Sequence, residues 1–244
     1  MLYTKNKSNN TCAIIWDYDG TLFDTREKNF NVTKKIIERI KGNITSFSVL
    51  ESVNTYYNSH LKADNWRDFY GNEFYLSENE IDEAGKLWTE YQLSDRTIIT
   101  PIDGLSEVIR SLKFPQGIVS QNSKENIFQN LMRNNLDSHF QSIIGYEEVD
   151  LKKQKPHPDG LLKCIRDLCQ SKSGNVFYIG DHDTDYQTVK NANEFLIRYK
   201  EDLKVISVAA AYSDCFHLSG LKNEFDFTAN TADDIVKIIS DFTK

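Results

Sequence analysis

Between Cys12 and Trp16 every position is apolar, and the run ends abruptly at Asp17-Tyr18-Asp19-Gly20-Thr21. A short continuous apolar stretch that stops at a turn signal predicts a strand buried on both faces, about Ala13 to Trp16. The period then changes. Phe30, Ile36, Ile37 and Ile40 recur at helical spacing as far as about Lys41, with Asp24 or Thr25 placed to cap the start and Gly42 to end it. Leu50, Val53, Tyr57 and Leu61 mark a second helix. Ser77-Glu78-Asn79-Glu80 opens a third, which continues through Ile81, Ala84, Trp88 and Tyr91. No strand signal appears between Asp24 and about Thr97, and the region is dense in aromatic residues. Large rings filling a small helical core are the simplest account of that density.

From Ile98 the texture alternates. Pro101 and Gly104 punctuate a short extended stretch that reads as a hinge or a return to the first domain. Helical faces then follow at Leu105–Leu112, Ile127–Met132, Leu161–Leu168, Thr184–Ala192 and Asp233–Phe242. Between them lie strand candidates at Gly117–Val119, Ser142–Gly145, Asn175–Ile179, Val205–Ala209 and Phe225–Phe227. Alternation with short links predicts an α/β fold, a Rossmann-like parallel sheet with helices on both faces. The expected core is residues 1–24 and 98–244, with 25–97 inserted as a small all-helical domain. The stretch Glu194 to Lys204 reads as a long link to the next strand.

A chain of 244 residues is long enough for such a core and insertion. Its net charge of −7 argues against a dedicated nucleic-acid binder. The polar leader Met1–Asn10 lacks the apolar segment of a signal peptide, and no run approaches the roughly 20 apolar residues that span a bilayer. The four cysteines show no C-x-x-C spacing, which fits a reduced, cytoplasmic protein without a membrane partner.

The polar clusters sit where predicted strands end, the place where ligands bind in open parallel sheets. Asp17 and Asp19, two apart on an extended chain, point the same way, although a plain D-G turn also accounts for them. Ser120-Gln121-Asn122 follows Gly117–Val119, and its serine can equally cap the next helix. Lys155-Pro156-His157-Pro158-Asp159 places a lysine before a proline-framed helix start. Gly180-Asp181-His182-Asp183-Thr184-Asp185 carries acids that suit either a helix N-terminus or a hard cation.

Taken in order, D-Y-D-G-T at 17–21, Ser120, Lys155 in K-P-H-P-D and G-D-H-D-T-D at 180–185 resemble the four motifs of the haloacid dehalogenase superfamily, in layout its phosphoglycolate phosphatase-like members. The resemblance covers residues 12–24 and 98–190 and implies that 25–97 is a helical cap. It further implies a phosphatase in which Asp17 attacks phosphorus and forms an aspartyl-phosphate. Asp19 would protonate the leaving alcohol and then activate water. Mg²⁺ would be held by Asp17, Asp19 through its carbonyl, and Asp181. Gly20, Thr21, Ser120, Asn122 and Lys155 would bind the phosphoryl group, with Asp185 behind them holding Lys155 or a metal-bound water.

The second acid separates phosphoryl chemistry from dehalogenation, because a departing halide needs no proton. Trp16 stands where a phenylalanine is more usual, and Asn122 lies one position later than the asparagine that often follows the motif serine. A phosphomutase using the same intermediate is the alternative within enzymes, and a catalytically silent phosphate-binding module the alternative outside them. The expected partner is a small phosphorylated metabolite, and the expected assembly a monomer or homodimer. Arg67 beside Trp66 is a candidate reader of a second anionic group, against the simpler account of a solvated arginine on a packed tryptophan. His182 reads as a rim or helix-start residue.

Overall fold

In the computed structural model, which describes residues 11–63, 65–170, 173–215 and 224–242, the opening apolar run forms strand β1, Thr11–Trp16. The chain divides into two compact units, Thr25–Ile99 and the flanking stretches Met1–Asp24 with Thr100–Lys244.

The inserted unit contains α1 (Arg26–Lys41), α2 (Val53–His60), α3 (Trp66–Phe74) and α4 (Glu78–Ser94). Thr25 stands at the N-cap of α1 without a side-chain capping bond, and Gly42 at φ 76° ends that helix. Ser52 and Thr55 form a reciprocal capping box on α2, as Ser77 and Glu80 do on α4. Helix α3 has no counterpart among the sequence expectations. Asn65 caps it by accepting from the amides of Arg67 and Asp68, and Tyr75 ends it in the left-handed region. Phe69, Tyr70 and Phe74 of α3 join Phe30, Ile36 and Tyr56 in the unit's core. Edge-on ring pairs such as Tyr56–Phe69, at 5.4 Å, hold it together.

The larger unit is built on a sheet of β1, β2 (Gln116–Val119), β3 (Phe140–Ile144), β4 (Ser173–Gly180), β5 (Asp202–Ala210) and β6 (Phe227–Ala229). Its order is β3-β2-β1-β4-β5-β6, and every pairing is parallel. The crossovers carry α5 (Leu105–Ser111), α6 (Lys124–Arg133), α7 (Asp159–Leu168) and α8 (Asp183–Arg198), and α9 (Ala232–Asp241) follows β6. Ile14, Ile15 and Trp16 are wholly buried, as a central parallel strand covered on both faces must be. The expected long link at 194–204 is absent: α8 runs through Arg198 and β5 starts at Asp202. Strand β6 lies two residues later than expected. Among the described residues no helix is long and apolar enough to cross a membrane.

Register brings the motifs together. Trp16 pairs with Ile118 of β2 and Ile179 of β4. The residues that follow these three adjacent strands therefore leave the sheet at one edge.

Candidate active site

Asp17 is fixed first by its backbone, whose N–H donates to the Ile179 carbonyl at 2.8 Å. Its side chain is buried and faces Lys155, which comes from the loop ahead of α7. The ammonium Nζ lies 2.5 Å from Asp17 Oδ1 and 2.8 Å from Asp185 Oδ1, and the lysine side chain is only 6% exposed. Asp185 is bonded on both oxygens. Oδ1 also accepts from the Tyr178 hydroxyl at 3.0 Å, and Oδ2 accepts from the His182 amide at 3.1 Å, where His182 caps α8. Gly180 lets Asp185 approach this closely, since a Cβ there would collide with its carboxylate. Asp181 uses Oδ1 to accept from the Thr21 hydroxyl at 2.7 Å.

Around Asp19 the donors come from the end of β2. Ser120 Oγ donates to Oδ2 at 3.3 Å, and Asn122 Nδ2 spans both carboxylate oxygens at 3.1 and 3.2 Å. Three expected phosphate ligands are thus committed elsewhere. Asn122 is bonded to Asp19, and Thr21 is wholly buried with its hydroxyl on Asp181. The Gly20 amide donates to the Phe23 carbonyl at 2.8 Å, closing its own turn. Gly20 contributes shape instead: its φ is +79°, and a Cβ would collide with the Asp181 carboxylate. Gln121, the neighbour that could have replaced Asn122, donates to the Lys155 carbonyl at 3.3 Å.

The electrostatics of the cluster follow from one ammonium shared among several buried carboxylates. Burial pushes the Asp17 carboxyl up to about 7, against the pull of Lys155 and with help from Asp185 and Asp19. Burial, reinforced by Asp17 and Asp185, holds Asp181 well above the usual carboxylate range. Burial also works against the Lys155 charge, but Asp17 and Asp185 outweigh it and keep its pKa well above the ordinary lysine value. Such a site retains protons unless a cation replaces them. Asp17, Asp181 and Asp185 place carboxylate oxygens within 4.8 Å of one another, an all-oxygen donor set suited to a hard divalent ion. Asp185 already accepts three hydrogen bonds, so Asp17 and Asp181 have more of their oxygens to offer. The donor chemistry and the room left by Gly20 both fit a small divalent ion.

Arg67 and Trp66 belong to the helical unit. The Arg67 guanidinium is bonded to Glu78 at 2.6 Å and Asp82 at 2.8 Å, and Trp66 stacks edge-on against Tyr70. A guanidinium already paired with two carboxylates favours the simpler account of a surface arginine beside a packed tryptophan over a reader of a substrate anion. Two tyrosines escaped the sequence reading. Tyr178, in mid-strand, bonds Asp185, and Tyr212, just past β5, donates to the Thr21 carbonyl at 3.1 Å. Burial and the nearby Asp181 and Asp17 raise the Tyr212 phenol well above its ordinary pKa. Its only sequence signal is a polar tip following an Ala-rich strand end.

Comparison with known proteins places the chain in a family and supports its fold. The pyrophosphatase PpaX of Bacillus cereus (strain B4264) is 24% identical over 227 residues, which cover 89% of this chain and 96% of the relative. A Lactobacillus plantarum protein assigned as a phosphoglycolate phosphatase superposes with a TM-score of 0.73 at 17% identity, covering 93% of this chain and 98% of its own. A Bacteroides fragilis protein assigned as a haloacid dehalogenase-like hydrolase gives a TM-score of 0.71 at 18% identity, covering 93% of this chain and 100% of its own. The family model for haloacid dehalogenase-like hydrolases matches residues 14–198, which takes in all four strand-end clusters, and the chain belongs to that family.

Proposed function

We propose that this hydrolase is a Mg²⁺-dependent phosphatase that cleaves a small phosphorylated metabolite through an aspartyl-phosphate on Asp17. The observation that carries this reading is the buried Asp17–Lys155 contact beside a second carboxylate, Asp19, held by its own hydrogen-bond donors. A carboxylate is a competent nucleophile once ionised and needs no base to activate it. Asp17 attacks phosphorus, its new O–P bond forming as the bond to the leaving oxygen breaks. Asp19 passes a proton to that oxygen, so the product departs as an alcohol. Asp19 then takes a proton from the water that attacks phosphorus, releasing inorganic phosphate and restoring Asp17. Lys155 is the donor available to the phosphoryl oxygens, the Ser120 hydroxyl joins it by turning from Asp19 Oδ2, and Asp185 holds Lys155 in place. Asp17, Asp181 and the Asp19 carbonyl would hold Mg²⁺, whose positive charge would let a phosphate dianion approach two carboxylates. The inserted helical unit is read as the cap that selects the substrate.

The test is turnover of p-nitrophenyl phosphate by purified protein with and without Mg²⁺, followed by a panel of phosphorylated metabolites. Inorganic pyrophosphate and phosphoglycolate belong on that panel because of the names its relatives carry. Asp17→Asn is expected to fall to background, and Asp19→Asn to lose about 10²–10⁴-fold. Undiminished turnover in Asp17→Asn would sink the mechanism. A hexose 1-phosphate converted to an isomeric phosphate, without free phosphate, would replace the hydrolase reading by the mutase.

A further inference from the structure

Helix α6 buries two stripes. One is apolar, Ile127 and Leu131; the other is polar, Asn126 and Asn130. Asn122, just ahead of the helix, extends the polar stripe at the same four-residue spacing, and each of these three asparagines is 2% exposed. Asparagine is a weak helix former, and its amide is costly to bury unless bonded, so a face that only packed would carry leucine.

The amides bond to one another in a single direction. Arg133 Nη1 donates to Asn130 Oδ1 at 3.4 Å, Asn130 Nδ2 to Asn126 Oδ1 at 3.2 Å, and Asn126 Nδ2 to Asn122 Oδ1 at 3.0 Å. Asn122 Nδ2 closes the series on both oxygens of Asp19. Ionised Asp19 sets the direction, because a carboxylate in that form only accepts. Asn122 must turn its NH₂ toward Asp19 and its oxygen inward, where the Ser123 amide, at 2.8 Å, and Asn126 hold it. The same logic orients Asn126 and then Asn130. Aligned amides polarise one another, so the last donor, on Asp19, is both strengthened and fixed in place.

We propose that this asparagine ladder positions Asp19 for proton transfer. Asn126 and Asn130 are positioning residues: they hold the Asn122 amide and, through it, the orientation of the Asp19 carboxyl. The inference rests on the phosphatase reading, in which Asp19 protonates the leaving oxygen. Its consequence is chemical, because the need for that proton grows with the basicity of the leaving group. An alkoxide cannot depart without it, whereas p-nitrophenolate departs readily.

The test measures kcat and KM for phosphate esters from p-nitrophenyl to simple alkyl in the wild type, Asn126→Leu and Asn130→Leu. Asn126→Leu leaves Asn122 Oδ1 bonded to the Ser123 amide and Asn130 Nδ2 bonded to the backbone carbonyl of residue 126, at 2.9 Å, so neither neighbouring amide loses its last partner and the fold is expected to hold. A thermal melt checks this. The expected result is a fall in kcat of about ten-fold or more for alkyl esters, a small part of the range open to general acid catalysis, and a clearly smaller fall for p-nitrophenyl phosphate. The dependence of log kcat on leaving-group pKa steepens, more for Asn126→Leu than for Asn130→Leu. A loss that is uniform along the series, or no loss at all, overturns the proposal.

If the wild type hydrolyses no phosphate with Mg²⁺, the function reading has failed, and the ladder is then judged without turnover. In ¹⁵N-labelled protein, Asp19→Ala is expected to shift the side-chain amide resonances of Asn126 and Asn130. Unshifted resonances would overturn the ladder by themselves.

Discussion

Gly20 meets two demands at once, a positive φ and the absence of a Cβ beside Asp181. Gly20→Ala should therefore cost about 1–2 kcal/mol in backbone strain alone. That lowers the melting temperature by about 2–4 °C per kcal/mol, read by calorimetry. It should also push Asp181 off its place and weaken divalent-ion binding, measured by titration calorimetry. Unchanged metal affinity in a folded Gly20→Ala protein would remove Gly20 from the site's architecture. Asp17, Asp181 and Ser120 were legible as site candidates because polar groups directly after buried apolar strands are costly without a partner, whereas Lys155, well past the end of β3, was legible only through its place before a proline-framed helix start and the family motif. Their bonding partners were not legible. The Thr21 hydroxyl, expected on a phosphate, reaches Asp181 across 160 positions of sequence. Asn122 turns to Asp19, and neither choice leaves a trace in local sequence. Tyr178 was invisible for a related reason: in a strand it looks like one more core ring, and only the fold shows what its hydroxyl meets.

At the scale of elements, the strands and most helices were readable from period and punctuation, but α3 was not. Trp66, Phe69, Tyr70 and Phe74 have helical spacing, yet Gly71 and the concentration of rings weaken the local helical signal. What fixes α3 is an Asn65 cap and contact with its neighbours. One such contact is Arg67, which links α3 to Glu78 and Asp82 of α4. Arg67→Ala should change stability by no more than about 1 kcal/mol, since partly exposed ion pairs contribute little. It should also leave KM unaltered for every substrate on the phosphate panel. A rise in KM confined to substrates with a second anionic group would make Arg67 a reader of that group after all. The misread link at 194–204 has a similar origin. The end of α8 lacks a one-sided apolar pattern, because Leu196 is buried while the neighbouring Ile197 and Tyr199 stand exposed.

For the whole molecule, the acid cluster couples stability to pH in a direction opposite to that of an ordinary salt-bridged carboxylate. The Asp17 carboxyl is raised from 3.8 to about 7 by burial, so between those values the folded protein binds more protons than the unfolded chain. Its favourable contribution is full below about 4, declines as pH rises, and is lost above about 7. Asp181, shifted the same way, extends the decline. Metal-free protein should therefore melt at progressively lower temperature as pH rises through this window, and Asp17→Asn should flatten the trend. A divalent ion reverses the penalty by taking the place of the protons, with which it competes below about pH 7. At a hundredfold excess over its Kd, Mg²⁺ should add about 2.7 kcal/mol at pH 8, several degrees in melting temperature. At pH 5, where the carboxyls hold their protons, the gain should be much smaller. Melting curves at the two pH values, with Mg²⁺ and with a chelator, decide the matter. An equal gain at both would mean that the ion binds away from Asp17 and Asp181, and the metal would lose its place in the proposed mechanism.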